Sequence, residues 1–154
     1  MNSSSIIYYD VLPTISWEKY TAGLATFNEG ANIWLINVSD HIHLLSEAAV
    51  ILDEAEKERA EKYRKQEDKN RFILGRIVLR KLLAELLQCQ PEEVPIVISK
   101  HKKPVLVSTS AAPIHFSLSH SGDYILIGIS KNEIGVDIEH TDTAFGYKNV
   151  MQHS

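Results

Sequence analysis

Apolar and polar positions follow two periods along this chain. Ile33 to Val38 is a short β-prone run between polar residues, which predicts a buried strand. Ser39-Asp40 then offers N-cap chemistry, predicting a helix over Ile42 to Ile51. Asp53 to Lys65 is mostly charged, with Ala55, Ala60 and Tyr63 as its non-polar residues. Asp53/Lys57, Glu58/Lys62 and Glu61/Lys65 stand four apart with the acid first, the order that supports a helix. From Glu67 to Leu87, Phe72, Leu79, Leu82, Leu83 and Leu86 keep helical spacing, while Ile73/Ile77 and Leu74/Val78 widen the stripe. Gly75 leaves room for close backbone approach, and Pro91 and Pro95 bracket the helix exit.

The last third changes period. Ile96-Val97-Ile98 reads as a short strand, and Ile114, Phe116 and Leu118 alternate with His115, Ser117 and Ser119. Tyr124 to Ser130 is almost wholly apolar, as a central strand covered on both faces should be. Lys131-Asn132 can turn the chain back into a further strand, Glu133 to Glu139. A strand, then helices, then a run of strands predicts an α+β fold, with helices packed on a mainly antiparallel sheet.

Composition narrows the class. The chain has 154 residues, 44% hydrophobic and 23% charged, ordinary for a globular domain. The length excludes a two-domain enzyme of usual size. Sixteen Lys and Arg against 20 Asp and Glu give a net charge of −4, which argues against a nucleic-acid or membrane coat. One cysteine, Cys89, excludes an internal disulfide framework or thiolate zinc site. No apolar run reaches membrane-span length, and Met1 to Asp10 lacks the pattern of a signal peptide. Asn2-Ser3-Ser4-Ser5 reads as a tail, and a cytoplasmic location is expected. Charge is uneven: Asp53 to Lys81 has 10 basic and 7 acidic residues, net +3, and the remainder has 6 and 13, net −7. Either a solvated helix face or an anionic ligand near that segment would account for this.

Three segments could carry chemistry. In Ile134-Gly135-Val136-Asp137-Ile138-Glu139, strand alternation puts the three apolar side chains on one face and both carboxylates on the other. Asp137 and Glu139 would then lie about 6.6 Å apart at Cα, placed to converge on one hard cation such as Mg²⁺, or simply to form a wet acidic face. His115 to Asp123 brings Ser and His to a strand end before a Ser-Gly turn, where hydroxyls, amides and imidazole suit a phosphate. A backbone-bonded turn histidine and a Ser–His nucleophile are the competing readings of that segment. Lys100-His101-Lys102-Lys103-Pro104 is a basic cluster at a turn, either a phosphate contact or a solvated hairpin tip. His41/His43 and His115/His120 diverge on their expected elements and lack a third ligand, so zinc is not expected.

In this order the segments resemble the Sfp-type 4′-phosphopantetheinyl transferases. Arg71 to Leu83 looks like the family's signature helix. His115-Phe116-Ser117-Leu118-Ser119-His120-Ser121 is similar to its His-Phe-(Ser/Asn)-x-Ser-His-Ser motif, and Gly135-Val136-Asp137-Ile138-Glu139 to its Gly-(Ile/Val)-Asp-(Ile/Leu)-Glu motif. The upstream Leu52…Glu58-Arg59-Ala60 stretch fits as well. The resemblance implies one αβ lobe of a pseudo-twofold pair. It also implies Mg²⁺-dependent transfer of 4′-phosphopantetheine from coenzyme A to a serine of an acyl or peptidyl carrier protein. By position, Asp137 and Glu139 would hold Mg²⁺ and carry the catalysis, and Ser119 and His120 would contact coenzyme A phosphates. Lys103 and Pro104 match a Gly-Lys-Pro that borders the adenine, with Lys102 replacing the glycine. Lys57 and Arg59 lie where the family has basic residues for the 3′-phosphate.

The family's second lobe carries a third acid and a lysine in Trp-x-x-Lys-Glu-Ala, and nothing after Glu139 resembles that motif. The expectation is an N-terminal lobe over residues 1–139 and, over 140–154, the start of a connection to a missing C-terminal lobe. Such a truncated lobe would be poorly active. Its alternative role is a non-catalytic module that binds coenzyme A or a carrier protein. Apolar surface left at the lobe interface, around Tyr124 to Ile129 or Leu79 to Leu87, would favour a homodimer or aggregation. No nucleic-acid or membrane partner is expected.

Overall fold

The computed structural model describes residues 30–100, 103–107 and 113–140. The Asn2 to Ser5 tail, His101 and Lys102 of the basic cluster, and most of the expected 140–154 connection lie outside them. In chain order the elements are β1 (Asn32–Asn37), α1 (Val38–His41), a 3₁₀ segment (Ile42–Glu47), α2 (Ala48–Ile51), α3 (Glu54–Glu61) and α4 (Gln66–Leu87). A second 3₁₀ turn (Pro91–Glu93), β2 (Ile96–Ile98), β3 (Pro104–Leu106), β4 (His115–Ser121) and β5 (Tyr124–Ser130) follow. The architecture is α+β, as the pattern predicts. One antiparallel sheet has the order β1-β5-β4, and β2-β3 form a separate antiparallel hairpin.

The central strand is β5. Its Ile125, Ile127 and Ile129 face Leu74, Leu79, Leu82 and Leu83 of α4, and all are buried in one cluster. Full burial of each such side chain is worth about 1.5–3 kcal/mol, so this helix–sheet seam is the main stabilising contact. A second cluster joins Ile77 to Ile51 and Leu52, tying the helical connection to the other flank of α4. No helix of the described residues is long and apolar enough to cross a membrane.

Several expectations are corrected. β1 is half-buried: Trp34 and Ile36 turn toward the core, whereas Ile33 and Leu35 are exposed on the other face. The helix expected over Ile42 to Ile51 begins earlier and is broken. Asn37 caps it, its side-chain oxygen accepting from Asp40 N at 3.2 Å, and a 3₁₀ stretch divides α1 from α2. Ser39 is instead drawn to Asp123, donating to its carboxylate at 2.7 Å. The His41 and His43 rings stack at 6.3 Å instead of diverging.

In α3, the four-apart charge pairs give way to other partners. Asp53 is the N-cap of a capping box with Glu56, Lys57 pairs with Glu54 at 2.9 Å, and Glu61 pairs with Lys69 of α4 at 2.8 Å. The helix ends at Glu61, so Lys65 never joins its face. A Cβ added at Gly75 would meet Leu118 at an ordinary 3.5 Å, so close approach is not what this position demands. Of the apolar surface expected to be open, Leu79, Leu82, Leu83, Ile125, Ile127 and Ile129 are buried and Tyr124 is exposed.

Candidate functional site

The acidic segment is extended but is not a strand. Residues 133–140 follow β5 and make no ladder with a neighbour among the described residues. Their backbone is held by side chains: Ser117, Ser119 and Ser121 of β4 accept from the N–H groups of Val136, Ile138 and His140 at 3.2, 3.2 and 2.9 Å. Each pair is separated by 19 residues, so the segment runs parallel to β4. The two-residue turn at Lys131-Asn132 is expected to lead back into a further strand. The segment passes over the serine-bearing face of the sheet instead, with Ile134 and Val136 above Gly128.

Gly128 is required there. A Cβ on it would come within 2.6 Å of Val136 Cγ1 and 2.9 Å of Ile134 Cδ1. The expected alternation holds: Ile134, Val136 and Ile138 are half-buried, while Asp137 and Glu139 are exposed. Ser119 also donates its hydroxyl proton to Asp137 Oδ1 at 2.7 Å. A hydroxyl has a single proton, so donation to a phosphate would require it to leave Asp137.

A cavity of about 460 Å³ opens at the free edge of β4, between the first turns of α4 and β3. Its lining includes Arg59, Arg71, Arg76, Lys103, Pro104 and His120. A larger one of about 810 Å³ adjoins it, sharing Arg59, Tyr63, Phe72 and Arg76 and reaching Lys62 and Ile96 to Ile98. Phe72 organises the shared wall. The Arg59 and Arg76 guanidinium carbons stand 5.7 and 5.4 Å from its ring centroid, and Tyr63 packs on it at 5.4 Å.

Behind the lining of the smaller cavity, the buried guanidinium nitrogens Arg71 Nε and Arg76 Nη1 have no hydrogen-bond partner among the described residues, and neither does Glu56 Oε1. Burial lowers the Arg76 pKa, with Glu56 partly restoring it; the group remains a cation at neutral pH. Arg71 is held by Asp68 and donates to the Gly122 carbonyl at 2.9 Å, which pins α4 to the β4–β5 turn. A cavity lined by Arg59, Arg71, Arg76 and Lys103 is cationic and chemically suited to an anionic ligand.

Residues 34–132 match the family model described as 4′-phosphopantetheinyl transferase, N-terminal. The chain belongs to the 4′-phosphopantetheinyl transferase family. The slr0495 protein of Synechocystis is 40% identical over 90 residues, covering 58% of this chain and 37% of that protein. A phosphopantetheinyl transferase from Thraustochytrium is 34% identical over 88 residues, 56% of this chain and 31% of that protein. The transferase HetI from Nostoc is 28% identical over 127 residues, 81% of this chain and 54% of that protein. The chain thus spans about a third to a half of the length of the curated relatives it matches.

Within this phosphopantetheinyl transferase lobe, the residues singled out from sequence fall into two groups. Arg59, Lys103, Pro104 and His120 line one cavity. Ser119 and Asp137 are joined by a hydrogen bond, with Glu139 exposed beside them. Strand parity separates Ser119 from His120 onto opposite faces of the sheet. Lys57 lines neither cavity and is engaged by Glu54. The sequence reading gave no role to the individual arginines Arg71 and Arg76, nor to Phe72 between its two cations. The available signal was a pair of arginines set in an otherwise apolar helical stripe, where a solvated charge has no reason to be.

Proposed function

We propose that this lobe binds coenzyme A and takes part in Mg²⁺-dependent transfer of 4′-phosphopantetheine to a serine of an acyl or peptidyl carrier protein. The observation that carries the reading is the cavity lined by the cationic side chains of Arg59, Arg71, Arg76 and Lys103, with His120 among them. The 3′-phosphate and pyrophosphate of coenzyme A would be the counter-charges of those guanidinium and ammonium groups, and Pro104 would border the adenine. Arg71 and Arg76 would orient the nucleotide, while Phe72 restrains the cations of Arg59 and Arg76.

Asp137 and Glu139 fit Mg²⁺ by donor chemistry: two exposed carboxylates two residues apart on an extended backbone, with room for water and phosphate oxygens. The ion would neutralise charge on the pyrophosphate as the phosphoryl group transfers. Among the described residues no third His, Cys, Asp or Glu groups with them. Following the family resemblance, we place the third carboxylate and the carrier-serine base outside residues 33–140. The lobe alone would then bind coenzyme A and turn over poorly, in a cytoplasmic setting.

Calorimetric titration with coenzyme A, with and without Mg²⁺, should give saturable heat that Arg76→Ala reduces at least tenfold in affinity. No heat at millimolar ligand would remove the binding reading. Mass spectrometry of an apo carrier protein incubated with the chain, coenzyme A and Mg²⁺ tests turnover. Rapid gain of one phosphopantetheine would overturn the expectation of poor activity, and Asp137→Ala should then abolish it. Binding without transfer would favour a non-catalytic module that holds coenzyme A through the cationic cavity.

A further inference from the structure

We propose that Ser117, Ser119 and Ser121 form a hydroxyl comb that positions the acidic segment, with Ser119 setting the Asp137 carboxylate. The part that concerns a metal rests on the reading of Asp137 and Glu139 as its ligands. The geometry follows from matched periods. Alternate residues on β4 present their side chains on one face about every 6.6 Å, and alternate N–H groups of an extended segment recur at the same spacing. Three serines two residues apart therefore meet three amides two residues apart, at 3.2, 3.2 and 2.9 Å. Side-chain oxygens take the place of strand carbonyls.

The comb's consequence is parity. The residues whose amides are held are Val136, Ile138 and His140. Those between them are Asp137 and Glu139, whose side chains thereby alternate to the side opposite Val136 and Ile138 and are exposed. Gly128 contributes from below, since any Cβ there would collide with Val136 and lift the segment off the serines. Ser119 has a second task, because its proton goes to Asp137 Oδ1 at 2.7 Å. One such bond fixes the carboxylate and leaves lone pairs for an ion, the arrangement by which outer partners orient metal ligands. Ser119 is thus a positioning residue that acts through Asp137.

Amide hydrogen exchange by NMR on the full chain, combined with Mn²⁺ titration as a probe for a hard cation, tests this. In the unmutated protein the amides of Val136, Ile138 and His140 should exchange at least fivefold more slowly than those of Gly135, Asp137 and Glu139. Ser117→Ala, Ser119→Ala and Ser121→Ala should each accelerate one amide selectively: Val136, Ile138 and His140 respectively. Ser119→Ala should also weaken Mn²⁺ binding about tenfold, the low end of such losses, and Ser119→Thr, which keeps the hydroxyl, should restore it. Uniform exchange across 135–140 in the unmutated protein, or no selective response to the alanine variants, would overturn the comb. Selective responses with no Mn²⁺ binding to the unmutated chain would leave the comb standing and remove the metal reading. Unchanged Mn²⁺ affinity in Ser119→Ala would remove Ser119's role toward Asp137.

Discussion

Arg80 is the most heavily used side chain in the helical half of the protein. It is 1% exposed, yet four of its contacts are polar. Nε donates to Glu56 at 2.8 Å, Nη2 to Asp53 at 2.9 Å, and Nη1 to the carbonyls of Val94 at 3.0 Å and Pro91 at 3.3 Å. It therefore links α4 to the cap of α3 and to the turn after α4. Arg80→Ala would take from buried Glu56 its hydrogen-bonded cation, leaving only the looser 3.8 Å contact with Arg76, and should cost about 3–5 kcal/mol in urea unfolding. Arg80→Lys should recover less than half of that, because an ammonium cannot span four acceptors on separate elements. Arg76, one turn earlier, differs: its Nε stands 3.8 Å from Glu56 Oε1, too long for a hydrogen bond, and its Nη1 is unpaired. One arginine is satisfied across three elements, while the other is buried behind a cavity wall with one nitrogen unpartnered. Cys89 marks the opposite case. Partial desolvation, with Glu93 and Glu92 nearby, pushes its thiol pKa up, so it stays mainly protonated at neutral pH. Iodoacetamide should label it slowly at pH 7.5 and faster as the pH rises past the usual thiol range, with the unfolded chain labelling faster at the same pH.

At the scale of elements, legibility depended on whether a segment's partners were local. The long helix was readable because its apolar stripe is a one-dimensional pattern, and β5 because a central strand is apolar on both faces. The start of the first helix was misread because Ser39, a good cap by type, found a stronger partner in Asp123, far along the chain. The acidic segment was correct in parity and wrong in pairing. Sequence carries the period of an extended backbone but not whether carbonyls or hydroxyls will hold it. Gly128 is where that distinction acquires an energetic cost. Gly128→Ala should destabilise the protein by about 1–3 kcal/mol in denaturant unfolding, an overpacking penalty, and should speed amide exchange at Val136 and Ile138. In α3, Asp53→Ala removes both the cap and one Arg80 contact. It should cost about 1–2 kcal/mol, and Asp53→Asn, which keeps the cap, should cost less.

At the scale of the molecule, the two faces of the main sheet have different fates. One is sealed by α4. On the other, the comb and its segment cover the β4 side, while Ile33, Leu35 and Tyr124 remain exposed toward β1. Ile33 and Leu35 alternate along β1, and Tyr124 of β5 pairs with Asn37, diagonal to Leu35, so the three share one face of this strand pair. Sedimentation velocity should show concentration-dependent self-association of the chain, and Leu35→Glu should shift it toward monomer without loss of helicity. A single monomeric boundary up to about 100 μM would contradict this.

The sequence alone determined the α+β class, the order of motifs, the family resemblance and the alternation that places Asp137 and Glu139 together. Each is written in the local period of side chains, which survives without knowledge of the partner. Only the tertiary structure decided that Arg59, Lys103, Pro104 and His120 share a cavity with Arg71 and Arg76, and that Lys57 stands apart from it. It also decided that Ser119 serves Asp137 on one face while His120 turns to the other. These are outcomes of competition among distant groups for the same protons and the same space. The spacing of residues along one chain does not record which of them wins.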